Sequence, residues 1–203
     1  MRPFQIAVAA VLSLSLAACH KARTFEALPD DMDMGNKAAK VTVVEYASVG
    51  CPVCARWQKE VYPAFKSKYI DSGKVHYVFR EMLVGGGSEV TVAAAGFLLA
   101  RCAGKDKYFA VNDAVFASHP GLYDAPRETL LGIAKQVGMN EDEFTKCVTD
   151  EKQMTALNDR AQRNAKEHEV DATPTFEING KKMEPGYHTL DQIDAAIAAA
   201  SSD

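Results

Sequence analysis

The sequence predicts an α/β fold in which a strand–helix–strand unit is separated from a hairpin–helix unit by a long helical insertion. Three observations carry that expectation. Val41 to Ala47 is a β-branched, largely apolar run, and after a short Ser48-Val49-Gly50 turn Cys51-Pro52-Val53-Cys54 opens a helix. Residues 88 to 169 place their apolar side chains at helical rather than strand spacing. Residues 175 to 184 form two short runs joined by Asn179-Gly180, a dipeptide that favours a two-residue hairpin.

The elements follow in order. The first run contains one acid, Glu45, among apolar neighbours, the pattern of a central strand buried on both faces. In the next helix Trp57, Val61, Phe65 and Tyr69 recur every four residues. Pro52 suits the first helical turn, whereas Pro63 falls inside the pattern and predicts a kink or break. Lys74 to Phe79 alternates and is β-rich, giving the second strand of a right-handed βαβ unit. Gly85-Gly86-Gly87 lacks the following Gly-Lys-Ser/Thr of a phosphate loop and reads as a turn. Helical stripes then run through Val92, Ala95, Leu98 and Leu99, through Tyr108, Val111 and Val115, and through Leu130, Ile133, Ala134 and Val137. Gly138 suits a C-cap, and Asn140 with Glu143 makes an approximate capping box before Phe144 and Val148. A longer helix passes through Met154, Leu157, Ala161 and Ala165. The chain returns to strand at Thr175 to Ile178 and again at Lys181 to Glu184, and Thr189 with Gln192 opens a last helix through Ile193 and Ile197.

Composition narrows the function classes. The 203 residues are 47% hydrophobic and 25% charged, enough apolar material for a buried core. With 23 basic and 27 acidic residues the net charge is −4, without the basic excess that a general nucleic-acid binder needs. Five cysteines are too few for a disulfide-dense miniprotein, so their positions decide their meaning.

Met1 and Arg2 followed by an apolar run from Phe4 to Ala18 have the layout of a secretory signal, and the run is too short for a membrane span of about 20 residues. Leu16-Ala17-Ala18-Cys19 resembles the lipobox of bacterial lipoproteins, which makes residues 1–18 a signal and Cys19 the lipid-modified first residue of the mature chain. Ordinary cleavage after Ala17 is the alternative. Either route exports the chain to a compartment where disulfides persist. Residues 19–40, with Pro29, Asp30, Asp31, Asp33, Gly35 and Asn36 but few apolar side chains, read as a tether. Residues 41–87 and 170–203 form the two halves of the core, and 88–169 the insertion.

Cys51 and Cys54 carry the chemistry. A cysteine at a helix N-terminus meets unpaired backbone N–H groups and the positive end of the dipole, which stabilise its thiolate. The second thiol lies within one turn, placed to resolve a mixed disulfide formed by the first. Zinc would need four ligands, and no second C-x-x-C or close His pair exists. An inert structural disulfide is the other alternative.

Glu45-Tyr46-Ala47-Ser48-Val49-Gly50-Cys51-Pro52-Val53-Cys54 resembles the active-site region of the DsbA family of thioredoxin-fold thiol:disulfide oxidoreductases. The likeness continues through Val75 to Arg80, through Cys102-Ala103-Gly104 with Tyr108-Phe109, and through Ala172-Thr173-Pro174-Thr175-Phe176-Glu177-Ile178-Asn179-Gly180. It implies a thioredoxin-like fold with an inserted helical subdomain, a redox-active cysteine pair and no other cofactor. It implies that Pro174 is a cis-proline facing Cys51, with the Thr173 backbone free to pair with an extended client. A trans proline starting an edge strand is the alternative from sequence alone. The resemblance also places Glu45 as a buried carboxyl that exchanges a proton with Cys54; a strand-end acid paired with lysine is the plainer reading.

Pro52-Val53 departs from the Pro-His of the strongest oxidants of that family, and Thr rather than Val precedes Pro174. Loss of the imidazole removes one source of thiolate stabilisation. The function expected is disulfide formation in reduced exported proteins, with reoxidation by a DsbB-like, quinone-linked membrane partner. Reductase or isomerase action through the same site is the alternative, and a non-catalytic peptide-binding lipoprotein the third. The short tether leaves no room for a dimerisation domain, so a monomer is expected. Cys102 and Cys147, on different helices of the insertion, read as a structural disulfide, with two buried free thiols as the alternative. His20, His76, His119, His168 and His188 show no ligand spacing and read as surface or capping residues; no metal site is expected.

Overall fold

The computed structural model describes residue 25 and residues 27–202; the signal segment 1–18, Cys19 and His20 lie outside the described residues. Five strands form one mixed sheet: β1 (Met32–Gly35), β2 (Val41–Ala47), β3 (Val75–Glu81), β4 (Thr175–Ile178) and β5 (Lys181–Lys182), in the order β1-β3-β2-β4-β5. β2 runs parallel to β3, and every other pairing is antiparallel. β2 is flanked by a strand on each side, and its alternate residues serve two cores. Val41, Val43 and Ala47 face the main core, while Val44 and Tyr46 meet Val78, Met82 and Val170 on the other face. Burial on both faces is why the run is nearly continuously apolar.

α1 (Pro52–Glu60) follows β2, and the break expected at Pro63 occurs at Val61. A short α2 (Tyr62–Phe65) and a π turn over Lys66–Ile70 then deliver the chain to β3. Proline has no N–H to continue the ladder, so the helix restarts rather than extends. Trp57 on α1 packs against Phe176 of β4, with centroids 4.7 Å apart, and against Phe65 at 5.8 Å. This aromatic contact ties the cysteine-bearing helix to the hairpin half.

The insertion is α3 (Ser88–Cys102), α4 (Lys105–Ala117), a 3-10 turn at Gly121–Tyr123, α5 (Pro126–Gln136), α6 (Glu141–Val148) and α7 (Glu151–Glu167). The capping box at Asn140 and Glu143 is present in both directions, and Asp150 caps α7. Cys102 and Cys147 form a disulfide that joins the end of α3 to α6. The chain closes with α8 (Leu190–Ser202), whose first turn carries the Thr189–Gln192 exchange of hydrogen bonds.

Two expectations need correction. The segment read as a tether, 19–40, contains β1, which pairs along the outer edge of β3 from Met32↔Phe79 to Gly35↔His76. Its acids are ion-pair partners: Asp30 meets Arg163, Asp31 meets Arg80, and Asp33 meets Lys37 and His76. Four residues, Met-Asp-Met-Gly, carry too little apolar pattern to announce a strand. β5 spans only Lys181–Lys182, two residues short of Glu184. The hairpin turn itself is as expected, with Asn179 at φ 48° and Gly180 at 83°.

Closing a loop across a sequence separation of 45 removes chain entropy from the unfolded state worth about 4 kcal/mol. Replacing Cys102 and Cys147 together by alanine is expected to lower unfolding free energy by about that amount, read as a fall in the urea midpoint. A midpoint equal to the parent's would show that the bridge adds nothing to stability.

Candidate active site

The site is assembled where β2 ends. Ser48, Val49 and Gly50 are buried, and the turn closes with the Cys51 N–H donating to the Ser48 carbonyl at 2.9 Å. A Cβ on Gly50 would lie 2.3 Å from the Glu89 carbonyl oxygen, so only glycine lets the turn pass this close to the first turn of α3. The turn thus delivers Cys51 as the N-cap of α1, with extended φ −90° and ψ 120° and its sulfur accepting from the Cys54 N–H at 3.4 Å.

The two sulfurs, free thiols in this structure, have opposite environments. Hydrogen bonding from Cys54, opposed by burial and aided by Thr173 and the N–H groups of Cys54 and Val53, lowers the Cys51 pKa to about 6. Cys54 is wholly buried, and that burial, together with the Cys51 sulfur beside it, pushes its thiol well above the ordinary value. One thiol is therefore a thiolate at neutral pH and the other stays protonated. Pro52 and Val53 lie exposed between them, Val53 at 42%, giving an apolar surface beside the nucleophile.

The Thr173-Pro174 peptide is cis and sits opposite Cys51, whose sulfur is 3.6 Å from the Thr173 carbonyl oxygen. The Thr173 hydroxyl is buried without a partner and so remains a donor for a thiolate. Glu45 is fully buried, on the face of β2 that carries Val43 and Ala47. One of its oxygens accepts from the Tyr77 hydroxyl at 2.5 Å, and the other has no partner. Among the described residues it pairs with no lysine. Burial raises its pKa to about 8, against the Tyr77 bond and with the help of Asp113.

Other side chains near the site escaped the sequence reading. His119 is not a surface or capping residue: its Nε2 lies 2.8 Å from the Val49 carbonyl oxygen. His76 is also buried, against Asp33. The Tyr123 hydroxyl donates to the Gly50 carbonyl. A cleft of about 840 Å³ lies between α1 and the insertion, lined among others by Pro52, Gln58, Asp113, Phe116, His119 and Tyr123. Gln58 donates to Asp113 at its edge. These residues share no local motif, and only the packing of α4 on α1 brings them to the cysteines. Among the described residues no three His, Cys, Asp or Glu side chains are grouped to hold a metal ion.

A family model described as thioredoxin matches residues 27–199. The chain belongs to the thioredoxin family. Within it the chain is DsbA-like. It is 28% identical to Wolbachia pipientis alpha-DsbA1, with a TM-score of 0.75 over 87% of this chain and 93% of that one. It is 32% identical over 180 residues to the Rickettsia bellii "Putative protein-disulfide oxidoreductase", a match that covers 87% of this chain and 67% of the relative. A second relative of the same description in Rickettsia conorii is 33% identical, and there the match spans 62% of the relative's length. This DsbA-like chain therefore covers about two thirds of those relatives.

The buried carboxyl makes stability pH-dependent. Because the folded state holds the Glu45 proton up to about pH 8, it binds more protons than the unfolded chain between the ordinary carboxyl value of 4.5 and that point, so stability falls as pH rises through this window. The slope is of order 1 kcal/mol per pH unit. Glu45→Gln is expected to flatten it in urea titrations from pH 5 to 8, and an unchanged slope would assign the dependence to another group.

Proposed function

We propose that this chain is a thiol:disulfide oxidoreductase that forms disulfide bonds in exported proteins through Cys51 and Cys54. The observation that carries the reading is the asymmetry of the two thiols at a helix N-terminus, one depressed to about 6 and the other buried and raised, beside a cis-proline.

In the oxidised enzyme a client thiolate attacks the Cys51 sulfur, forming a mixed disulfide and displacing Cys54 as a thiolate. A second client thiolate then attacks the client sulfur of that mixed disulfide, forming the client disulfide and releasing Cys51. Two electrons pass from the client dithiol to the enzyme. The second step is favoured because the leaving sulfur is a stabilised thiolate. Cys54, in contrast, needs a proton on displacement, and Glu45 with a pKa near 8 carries one at neutral pH. The client lies extended across Cys51, pairing with the Thr173 backbone.

The same sulfurs serve reduction or isomerisation in reverse, but a depressed Cys51 favours its departure and hence oxidation. Export rests on the 1–18 signal, and attachment to a bacterial membrane facing the periplasm on lipidation of Cys19. Turnover then requires a DsbB-like membrane oxidant, and the chain acts as a monomer with no cofactor beyond the cysteine pair.

The decisive measurement is the reduction potential in glutathione buffers, joined to the redox state trapped by alkylation in cells. The expected potential lies closer to about −120 mV, the DsbA value, than to about −270 mV, that of thioredoxin. The expected protein is oxidised and in the membrane fraction, which Cys19→Ala leaves. A thioredoxin-like potential with a reduced resting state would sink the oxidase reading. Glu45→Gln is expected to slow exchange in stopped flow about tenfold or more near neutral pH, and unchanged rates across pH would remove Glu45 from the mechanism.

A further inference from the structure

The residue pair between the cysteines, Pro52-Val53, offers no polar side chain to the Cys51 sulfur. Polar support reaches the turn from the other side of the cleft. His119, just after α4, and Tyr123, at the end of the 3-10 turn, reach across to the two carbonyls that immediately precede Cys51. A carbonyl oxygen only accepts, so His119 Nε2 carries the ring proton in that contact. Burial, with the charges of Glu89 and Cys51 nearby, holds the Tyr123 phenol above its ordinary value, and it stays a donor. The two rings also brace each other edge to face, centroids 5.5 Å apart.

The same turn is held at its other end. The Gly50 N–H meets the Ser48 hydroxyl at 3.3 Å, and the Cys51 N–H meets the Ser48 carbonyl at 2.9 Å. On the α3 side Gly50 rests on the Glu89 backbone, and a Cβ on Gly96 would come within 2.9 Å of the Val49 side chain. Every peptide unit from Ser48 to Cys51 is thereby fixed by a partner, and its outward carbonyls are engaged by the insertion.

We propose that His119 and Tyr123 are positioning residues of the redox site, which set the strength of Cys51 as a leaving group by holding the Ser48–Cys51 turn. The physical route has two parts. A donor on each carbonyl offsets the partial negative charge that it presents near a thiolate, and it polarises the peptide so that the Gly50 and Cys51 N–H groups bind the Ser48 hydroxyl and carbonyl more strongly and stiffen the turn. The fixed turn also places the sulfur within reach of the Cys54 N–H, whose 3.4 Å contact lengthens if the turn rotates. Both parts act on the reduced enzyme, where the thiolate exists, and far less on the disulfide. The insertion therefore takes part in setting the redox equilibrium and is more than a cover over the thioredoxin core. The inference rests on the reading of Cys51 as the exchanging sulfur.

The test uses the full chain and three variants. Tyr123→Phe removes only the hydroxyl, His119→Phe removes the ring donor while keeping an aromatic ring, and His119→Gln restores an amide N–H near the Nε2 position. Two readouts follow: the Cys51 titration by thiolate absorbance, and the equilibrium constant with glutathione. Tyr123→Phe and His119→Phe are each expected to raise the titration midpoint and to shift the equilibrium constant toward the oxidised enzyme by about three- to tenfold, equivalent to about 15–30 mV. His119→Gln is expected to stay near the parent. Unchanged values in both variants would overturn the proposal, even if thermal stability fell, because they would show that the two side chains only satisfy buried carbonyls. Failure of the underlying reading is distinguishable, since the parent itself would then show no thiolate titrating below the ordinary cysteine range.

Discussion

The close passage of the Ser48–Gly50 turn beneath the first turn of α3 is the constraint on which the rest of the site depends. With no Cβ at Gly50, the turn presses against the Glu89 backbone, and the chain leaves β2 in a direction that makes Cys51 an N-cap and Pro52 the first helical residue. Everything chemical follows from that placement. The free N–H groups of α1 point at one sulfur, while the helix turns the other into the core beside Trp57. A side chain at residue 50 would push α1 away from the insertion and loosen both effects at once.

The parts of the molecule legible in sequence are those specified locally. The β2 run reads as a doubly buried strand because seven neighbours agree, the capping box at Asn140 needs only a spacing of three, and Asn179-Gly180 encodes its own turn. The dithiol is legible because the helix that activates it begins at its first cysteine. Glu45 stands out as an acid in an apolar run, but its partner does not: nothing near Tyr77 in sequence marks it as the donor. Its likeness to a known family supplied the orientation of Pro174, which local rules alone leave undecided.

What was not legible is long-range and polar. Asp30 and Asp31 look like linker residues until α7 and β3 bring Arg163 and Arg80 to them. Glu81, at the end of β3, is buried between Arg101 and Arg160 and accepts from Tyr108. Removing either kind of partner would strand a buried charge, which is costly. These pairs join the N-terminal segment, the sheet and two helices of the insertion, so the insertion is clasped to the core by charge at one end and by the Val49 and Gly50 carbonyls at the other. Neither contact leaves a periodic trace, since each side chain alone resembles an ordinary surface residue.

The clasp at Asp30 also fixes one edge of the sheet. With Asp30 held by Arg163 and by the Arg101 contact to its carbonyl, and β1 laid along β3, the folded body begins well before residue 41. Phe25 lies on the same body, its ring edge-on to that of His76 with centroids 5.7 Å apart and covered by the Arg80 guanidinium. Because β1 is only four residues long and carries the ion-paired Asp33, the edge it presents beyond β3 is a poor template for pairing with the strand of another chain.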